Sequence, residues 1–195
     1  MEGIDGSGKS TQAGILIEKL RRRDFDTVYF REPSDSRWGR EIRDKAVVPD
    51  SLTPEEEIDL FQKDREENVR KNLRPALKKK KVIVLDRYYF STIAYQGAKG
   101  IDPRKIRLMN EAFAVPPDIL IVLDIDPKKG LKRIGKRKKK DVLFEREDYL
   151  VEVRKIFNGI NGENVYHIDA SASADKVSLE VEDIVFSYIE KYALS

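Results

Sequence analysis

The sequence contains no cysteine in its 195 residues. This absence excludes disulfide bonds, thiolate metal sites and cysteine nucleophiles. It also lacks an apolar run of membrane-spanning length, and its N-terminus shows no signal-peptide pattern, so we expect a cytoplasmic protein with no membrane partner. No repeat or long linker interrupts the chain, and its length predicts a single domain over residues 1–195.

The chain also lacks an excess of either charge. Lysine and arginine number 38 against 35 aspartate and glutamate residues, which leaves a net charge of +3. General nucleic-acid binding requires a large, clustered basic excess, so we expect no nucleic-acid partner. Hydrophobic residues make up 40% of the chain, which is enough to form a core.

Apolar runs of strand length alternate with helical segments along the chain. Three helix starts are marked by a capping residue followed by proline, at Thr53, Asp102 and Asp126. This alternation predicts right-handed crossovers and a mostly parallel sheet, with ligands at the carboxyl ends of its strands. The predicted strands are Thr27–Phe30, Val82–Leu85, Ile119–Leu123 and Val165–Ile168. The second and third are continuous apolar runs, typical of strands covered on both faces.

Residues 3–10 match the phosphate-binding motif G-x-x-x-x-G-K-[ST]. Its glycines let successive backbone N–H groups turn toward phosphate oxygens, and the following helix adds its positive end. Lys9 is expected to reach the β- and γ-phosphates of ATP, and the Ser10 hydroxyl to bind Mg²⁺. ATP and Mg²⁺ are therefore the predicted cofactors, with ATP held by Gly3, Ile4, Asp5, Gly6, Ser7, Gly8, Lys9, Ser10 and Thr11. Only two residues precede the motif, so the strand before this P-loop is either short or cut by the start of the sequence.

Asp86 ends the second apolar run and Arg87 follows it. A carboxylate at the carboxyl end of a buried strand is typical of the Walker B position, which holds Mg²⁺ directly or through water. The planar guanidinium of Arg87 suits the phosphate of an acceptor substrate. A structural Asp–Arg pair is the alternative, and the presence of a P-loop favours the functional interpretation.

Five groups of residues together resemble the thymidylate kinase family over nearly the whole chain. They are Glu2–Thr11, Arg31-Glu32-Pro33, Leu60-Phe61 with Arg65, Asp86-Arg87-Tyr88 with Ser91–Gly97, and Pro117-Asp118 with Leu131-Lys132-Arg133. The S-x-x-A-Y-Q-G stretch at Ser91–Gly97 is the most specific. The resemblance implies a three-layer α/β/α P-loop kinase fold with a mostly parallel sheet and a small helical lid at about residues 133–146. It also implies a homodimer that transfers the γ-phosphoryl group of ATP to dTMP, giving dTDP and ADP.

The same resemblance implies contacts with each part of the acceptor nucleotide. In chain order these are Asp5 on the deoxyribose 3′-hydroxyl, Phe61 stacked on thymine, Arg65 on a base carbonyl, Arg87 on the monophosphate, Ser91 and Gln96 lining the pocket, and Tyr95 against the sugar. The two aromatic residues have an alternative interpretation as ordinary core side chains.

A basic segment follows the third helix start. Family members without an arginine inside the P-loop supply one from the lid, and residues 4–7 contain none. Such an arginine stabilises the charge of the transferring phosphoryl group, and Arg133 and Arg137 are the candidates. A solvated charged face is the alternative interpretation of this segment.

Two segments depart from the family pattern. Ser34–Gly39 replaces the Gly-Gly-Thr that normally follows R-E-P, and Arg37 is a possible substitute for its phosphate contacts. In the lid, Val142-Leu143 stands where an arginine normally precedes Phe-Glu. The first departure concerns the contacts with the acceptor phosphate, and the second concerns which lid arginine is catalytic. Together they bear on how strictly the chain selects dTMP.

Two other functions remain open from the sequence. One is a kinase with the same mechanism and another acceptor, such as dUMP, a different monophosphate or a deoxynucleoside. The other is a P-loop module that binds ATP as a switch and transfers nothing to a small molecule. Phe61, Arg65 and Ser91–Gly97 favour a kinase, because a switch has no use for a pocket that reads a base.

Overall fold

The computed structural model describes residues 1–46, 51–134 and 140–193, and for residues 140–146 and 193 it describes only the backbone. Over these ranges helices alternate with short strands. None of the described helices is long and apolar enough to cross a membrane. The elements in chain order are α1 (Lys9–Arg22), β1 (Thr27–Arg31), α2 (Arg37–Lys45), α3 (Pro54–Asn68), a π-helical turn (Val69–Leu73), α4 (Arg74–Lys78), β2 (Val82–Asp86), α5 (Tyr89–Gly97), α6 (Pro103–Glu111), β3 (Leu120–Asp124), α7 (Pro127–Ile134), α8 (Lys140–Asn158), β4 (Val165–Asp169) and α9 (Ala174–Ala193).

The chain divides into two compact units. The terminal unit consists of Met1–Phe25 and Asp118–Ser195, and the central unit of Asp26–Pro117. Each unit contains one pair of parallel strands. Parallel neighbours require crossover connections, so the pairing agrees with the predicted α/β class. The single domain over residues 1–195 stays a prediction.

In the central unit, β1 and β2 pair in register from Thr27 opposite Val82 to Arg31 opposite Asp86. Both predicted strands are confirmed, and each extends past its apolar run to a charged residue. The backbone N–H of Glu32 then donates to the Asp86 carbonyl at 3.0 Å, which continues the pairing by one residue. The carboxyl ends of β1 and β2 therefore bring the R-E-P segment beside Asp86.

In the terminal unit, β3 and β4 pair in register from Leu120 opposite Val165 to Asp124 opposite Asp169. The four apolar residues of β3 are all buried, as expected of a strand covered on both faces. In β2, by contrast, Val84 is the one apolar residue that is fully buried. The prediction of full coverage is thus confirmed for β3 and wrong for β2.

The segment before the P-loop contributes an isolated bridge. Glu2 pairs in parallel with Val122, since its N–H donates to the Ile121 carbonyl at 2.8 Å and its carbonyl accepts from Leu123 N–H at 2.9 Å. The start of the P-loop is therefore attached to the buried strand β3.

The predicted helix starts are confirmed. Thr53 forms a complete capping box, in which its hydroxyl accepts from Glu56 N–H and the Glu56 carboxylate accepts from Thr53 N–H. The carboxylates of Asp102 and Asp126 accept hydrogen bonds from first-turn backbone N–H groups of α6 and α7. These caps satisfy donors that have no partner inside the helix.

A polar cluster lies inside the central unit. Helix α3 turns Arg65 and Asn68 inward, each 1% exposed, toward Glu32 in the loop after β1. Glu32 Oε2 accepts from Arg65 Nε at 2.8 Å and lies 2.7 Å from Arg65 Nη2, while Oε1 accepts from Asn68 Nδ2 at 3.2 Å. Burial removes water from the Glu32 carboxylate and raises its pKa to about 7, an effect that the charge of Arg65 opposes without cancelling.

This raised pKa predicts a pH-dependent stability. Between pH 4.5 and about 7, folded Glu32 holds a proton that the unfolded chain releases, so the free energy of unfolding falls as the pH rises through this window. The fall is about 3 kcal/mol at most. Glu32→Gln has no such proton to release. The unfolding free energy of this variant minus that of the unaltered protein should therefore increase from pH 5 to pH 8. Urea unfolding of both proteins at the two pH values measures the difference, and a constant difference would contradict the raised pKa.

Candidate active site

The P-loop leads directly into α1 of the terminal unit. The helix begins at Lys9 as predicted, after Gly8 in a left-handed conformation with φ 97°. Gly3 and Gly6 also have positive φ, 134° and 81°, which residues with a side chain rarely adopt. The first turn of α1 contains no acidic residue, so its backbone N–H groups and the positive end of the helix dipole suit an anion such as phosphate.

The Lys9 side chain folds back into this loop. Its ammonium donates to the Gly3 carbonyl at 3.0 Å and the Ile4 carbonyl at 2.9 Å, with Ser7 Oγ at 3.4 Å. The side chain is buried, whereas those of Ser10 and Thr11 are exposed. The positive charge is therefore held inside the motif that is predicted to bind ATP.

Helix α7 approaches the P-loop backbone more closely than a side chain would allow. A Cβ on Gly6 would lie 2.2 Å from the Gly130 carbonyl oxygen, and a Cβ on Gly130 would lie 2.6 Å from the Asp5 carbonyl oxygen. Arg133, on the same helix, donates from Nη1 to the Gly6 carbonyl at 3.4 Å. The predicted lid residue Arg133 thus contacts the P-loop, while Arg137 lies outside the described residues.

Gly130 and Arg154 are not among the predicted site residues. The signal for Gly130 was an isolated glycine inside a helical segment, which often marks a close packing contact. Arg154 belongs to no motif, yet its Nε and Nη2 donate to the two carboxylate oxygens of Asp124 at 2.6 and 2.7 Å. These two bonds hold the pKa of Asp124 below its ordinary value. They also attach α8 to the carboxyl end of β3.

In the central unit, the predicted phosphate and sugar contacts are close together. Asp86 is buried at the end of β2 and accepts from the Tyr29 hydroxyl at 3.1 Å. Arg87 has a positive φ of 69°, donates to Ser91 Oγ at 3.1 Å and lies 5.3 Å from the centre of the Tyr95 ring. A left-handed conformation at a non-glycine residue costs energy and is typical of functional positions.

The predicted base contacts lie on α3. Phe61 is half-buried, and Arg65 donates to Glu32, to Thr92 Oγ1 at 3.1 Å and to Asn110 Oδ1. Phe61 and Arg65 are one helical turn apart, which places them on the same side of α3. Thr92 and Asn110 are not among the predicted site residues, because a single polar residue in an amphipathic helix gives no sequence signal.

Gln96 is another predicted pocket residue, and it is 3% exposed. Its Nε2 donates to Glu57 Oε2 at 2.9 Å. Its buried amide oxygen accepts no hydrogen bond from the part of the chain that the structure describes. A buried acceptor in this state suits a donor group of a ligand, because an unmade hydrogen bond is costly.

Arg37 begins α2 and is exposed, with its guanidinium 3.9 Å from the centre of the Trp38 ring. The loop after R-E-P is held by a different arginine. Arg43 Nη1 donates to the carbonyls of Pro33 and Ser34 at 2.9 and 2.8 Å. The phosphate contact of Arg37 stays a prediction.

The Gly130 contact leads to a test. Gly130→Ala places a methyl group 2.6 Å from the Asp5 carbonyl, so the P-loop must shift, and the Kd for ATP should rise by about tenfold to a hundredfold. Isothermal titration calorimetry measures this change. Gly14→Ala on α1 is the matched control, because its Cβ meets nothing within 4 Å and its Kd for ATP should be unchanged. An unaltered Kd in Gly130→Ala would show that the contact does not shape the loop.

Comparisons with known proteins agree with this geometry. A sequence profile of the family described as thymidylate kinase matches residues 1–181. A protein named probable thymidylate kinase from Archaeoglobus fulgidus is 44% identical over 189 residues, which cover 97% of this chain and 94% of that protein. A thymidylate kinase from Akkermansia muciniphila is 45% identical over 180 residues, covering 92% and 86% of the two chains.

A solved structure extends the likeness to three dimensions. The crystal structure of thymidylate kinase from Ehrlichia chaffeensis matches with a TM-score of 0.77 and 30% identity, over 94% of this chain and 95% of that chain. This match confirms the predicted P-loop kinase fold. With a family profile that matches most of its residues and relatives that match along nearly their whole length, the chain belongs to the thymidylate kinase family.

Proposed function

We propose that the chain transfers the γ-phosphoryl group of ATP to dTMP and releases dTDP and ADP. The observation that carries this proposal is the P-loop at the start of α1, with the Lys9 ammonium inside it, in a chain of the thymidylate kinase family. Membership of this family favours a kinase over an ATP-binding switch.

On the donor side, residues Gly3 to Thr11 bind ATP. Lys9 exchanges the carbonyls of Gly3 and Ile4 for phosphate oxygens, which carry more negative charge. Mg²⁺ neutralises charge on the phosphates when it is bound. Among the described residues there is no group of three or more histidine and acidic side chains that could hold a metal ion. Mg²⁺ commonly takes one or two protein ligands together with substrate phosphates, so it does not require such a group. Its predicted ligands are Ser10 and Asp86.

The transferring phosphoryl group requires a positive charge that acts mainly in the transition state. Arg133 is suited to this role, because its hydrogen bond to the Gly6 carbonyl places it at the P-loop. Arg137 is the second candidate from the lid.

On the acceptor side, Arg87 binds the monophosphate and Tyr95 lies against the sugar. These two assignments are supported by the contacts of Arg87 with both Ser91 and Tyr95. Phe61 stacks on thymine and Arg65 bonds a base carbonyl. The remaining assigned contacts are Asp5 on the 3′-hydroxyl, Gln96 in the pocket and Arg37 on phosphate. We further propose a cytoplasmic homodimer, as the family resemblance implies.

Removing the P-loop charge should strongly reduce the rate of catalysis. Lys9→Ala is expected to lower kcat by a factor of about 100 to 1,000, because electrostatic stabilisation is the main catalytic contribution in phosphoryl transfer. A coupled ADP assay measures the rate, and circular dichroism checks that the variant is folded.

Lys19→Ala is the matched control, since it also removes a lysine from α1. Lys19 forms an ion pair with Glu182 at 2.6 Å. This variant should keep its kcat. A folded Lys9→Ala protein with the turnover of the control would exclude phosphoryl transfer at this loop.

A panel of acceptors tests the choice of base. Arginine only donates hydrogen bonds, so Arg65 favours the 4-oxo group of thymine over the 4-amino group of cytosine. We expect kcat/KM for dTMP to exceed that for dCMP by several orders of magnitude, and that for dUMP by a smaller factor, since one methyl group is worth only about 1–3 kcal/mol. Equal efficiency with dCMP and dTMP would instead indicate a broader monophosphate kinase.

A further inference from the structure

A network of buried polar side chains surrounds Arg65 inside the central unit. Its members come from the loop after β1 and from α3, α5 and α6, so they hold Arg65 from several directions. Each is at most 3% exposed: Glu32, Arg65, Asn68, Thr92 and Asn110.

The guanidinium of Arg65 has five N–H groups. Nε donates to Glu32 Oε2, Nη2 donates to Thr92 Oγ1 and lies 2.7 Å from Glu32 Oε2, and Nη1 donates to Asn110 Oδ1. The second N–H of Nη1 has no acceptor among the described residues. Among the N–H groups of Arg65, it is therefore the one left for a base in the proposed function.

Asn110 sets the direction of that donor. The guanidinium is planar, so when one N–H of Nη1 points at Asn110 Oδ1 the other has only one direction. The amide of Asn110 is itself oriented, because its Nδ2 donates to the Ile106 carbonyl at 2.7 Å. This bond within α6 leaves Oδ1 as the group that faces Arg65.

Such a network is costly to build. The free-energy cost of removing a charged pair from water offsets much of the attraction between the charges. Apolar side chains of similar volume often stabilise the fold equally well. What the buried network provides is a fixed orientation of Arg65 that an apolar core could not supply.

We propose that Asn110 is a positioning residue for base selection. By accepting from Nη1 it aims the remaining N–H of Arg65 at the 4-oxo group of a pyrimidine, and so it contributes to the rejection of a 4-amino group. This inference rests on the proposed function, in which Arg65 reads the base of the acceptor.

Asn110→Leu tests the proposal, since leucine has a similar size and no acceptor. The ratio of kcat/KM for dTMP to that for dCMP should fall about tenfold or more, mainly through a higher KM for dTMP, while the KM for ATP stays unchanged. Asn110→Asp loses the bond to the Ile106 carbonyl but keeps carboxylate oxygens that can accept from Arg65, so it should retain more of the ratio than Asn110→Leu does. A folded Asn110→Leu protein with the original ratio would overturn the proposal.

Asp64→Asn is the matched control for loss of stability. Asp64 is 1% exposed, like its neighbour Arg65, but it accepts from Ser34 N–H at 2.8 Å and Ser36 Oγ at 2.6 Å and has no hydrogen bond with Arg65. This variant should be destabilised and should keep the ratio of dTMP to dCMP. A ratio lowered as much as in Asn110→Leu would assign the effect to general destabilisation and overturn the positioning role.

A measurement on the unaltered protein covers the case in which Asn110→Leu does not fold. Nitrogen-15 NMR should show separate, slowly exchanging Nη signals for Arg65, and dTMP should shift them more than dCMP does. Averaged signals from a freely rotating guanidinium would overturn the proposal. If the unaltered enzyme phosphorylates dCMP as efficiently as dTMP, Arg65 does not read the base and the proposed function fails together with the positioning role of Asn110. If the unaltered enzyme prefers dTMP and Asn110→Leu keeps that preference, only the positioning role fails.

Discussion

Parallel pairing of short strands determines where polar side chains leave the core of each unit. In the central unit, the register that sets Arg31 opposite Asp86 also brings Glu32 and Arg87 to the same strand ends. In the terminal unit, the bridge from Glu2 to β3 attaches the P-loop at a buried strand. The predicted ligand contacts of both units depend on these short ladders, because a shift in register would move every charged residue that follows a strand.

The ion pairs Glu32–Arg65 and Asp124–Arg154, each beside the carboxyl end of a strand, differ in burial and therefore in their contribution to stability. Glu32 and Arg65 are fully buried, so loss of Glu32 leaves the Arg65 charge without its partner and costs about 3–5 kcal/mol. Asp124 and Arg154 are 26% and 34% exposed, so water screens their interaction and its contribution is smaller. The first pair therefore fixes the orientation of Arg65, whose proposed role is to read the base, whereas the second attaches a helix to a strand end.

The contact between Gly6 and Gly130 joins the phosphate-binding loop to α7. The two backbones leave no room for a side chain between them, so α7 lies in direct contact with the P-loop. Arg133 adds a hydrogen bond to the same loop from the same helix. Helix α7 therefore packs directly against the loop that is proposed to hold ATP, and the predicted lid begins at Arg133 on this helix.

The local pattern of the sequence was enough to predict the P-loop at Lys9, the four strands to within a residue and the cap at Thr53, because these depend on neighbours a few positions apart. Arg87 was predicted from its position after Asp86, and the family resemblance supplied Arg65. Tertiary structure alone decided the partners of these side chains. Arg65 meets Asn110 across 45 positions, Arg133 meets Gly6 across 127, and Arg154 meets Asp124 across 30. No periodicity or spacing encodes such pairs, since they form only when separate helices pack against the same core and bury the polar groups that must then find one another.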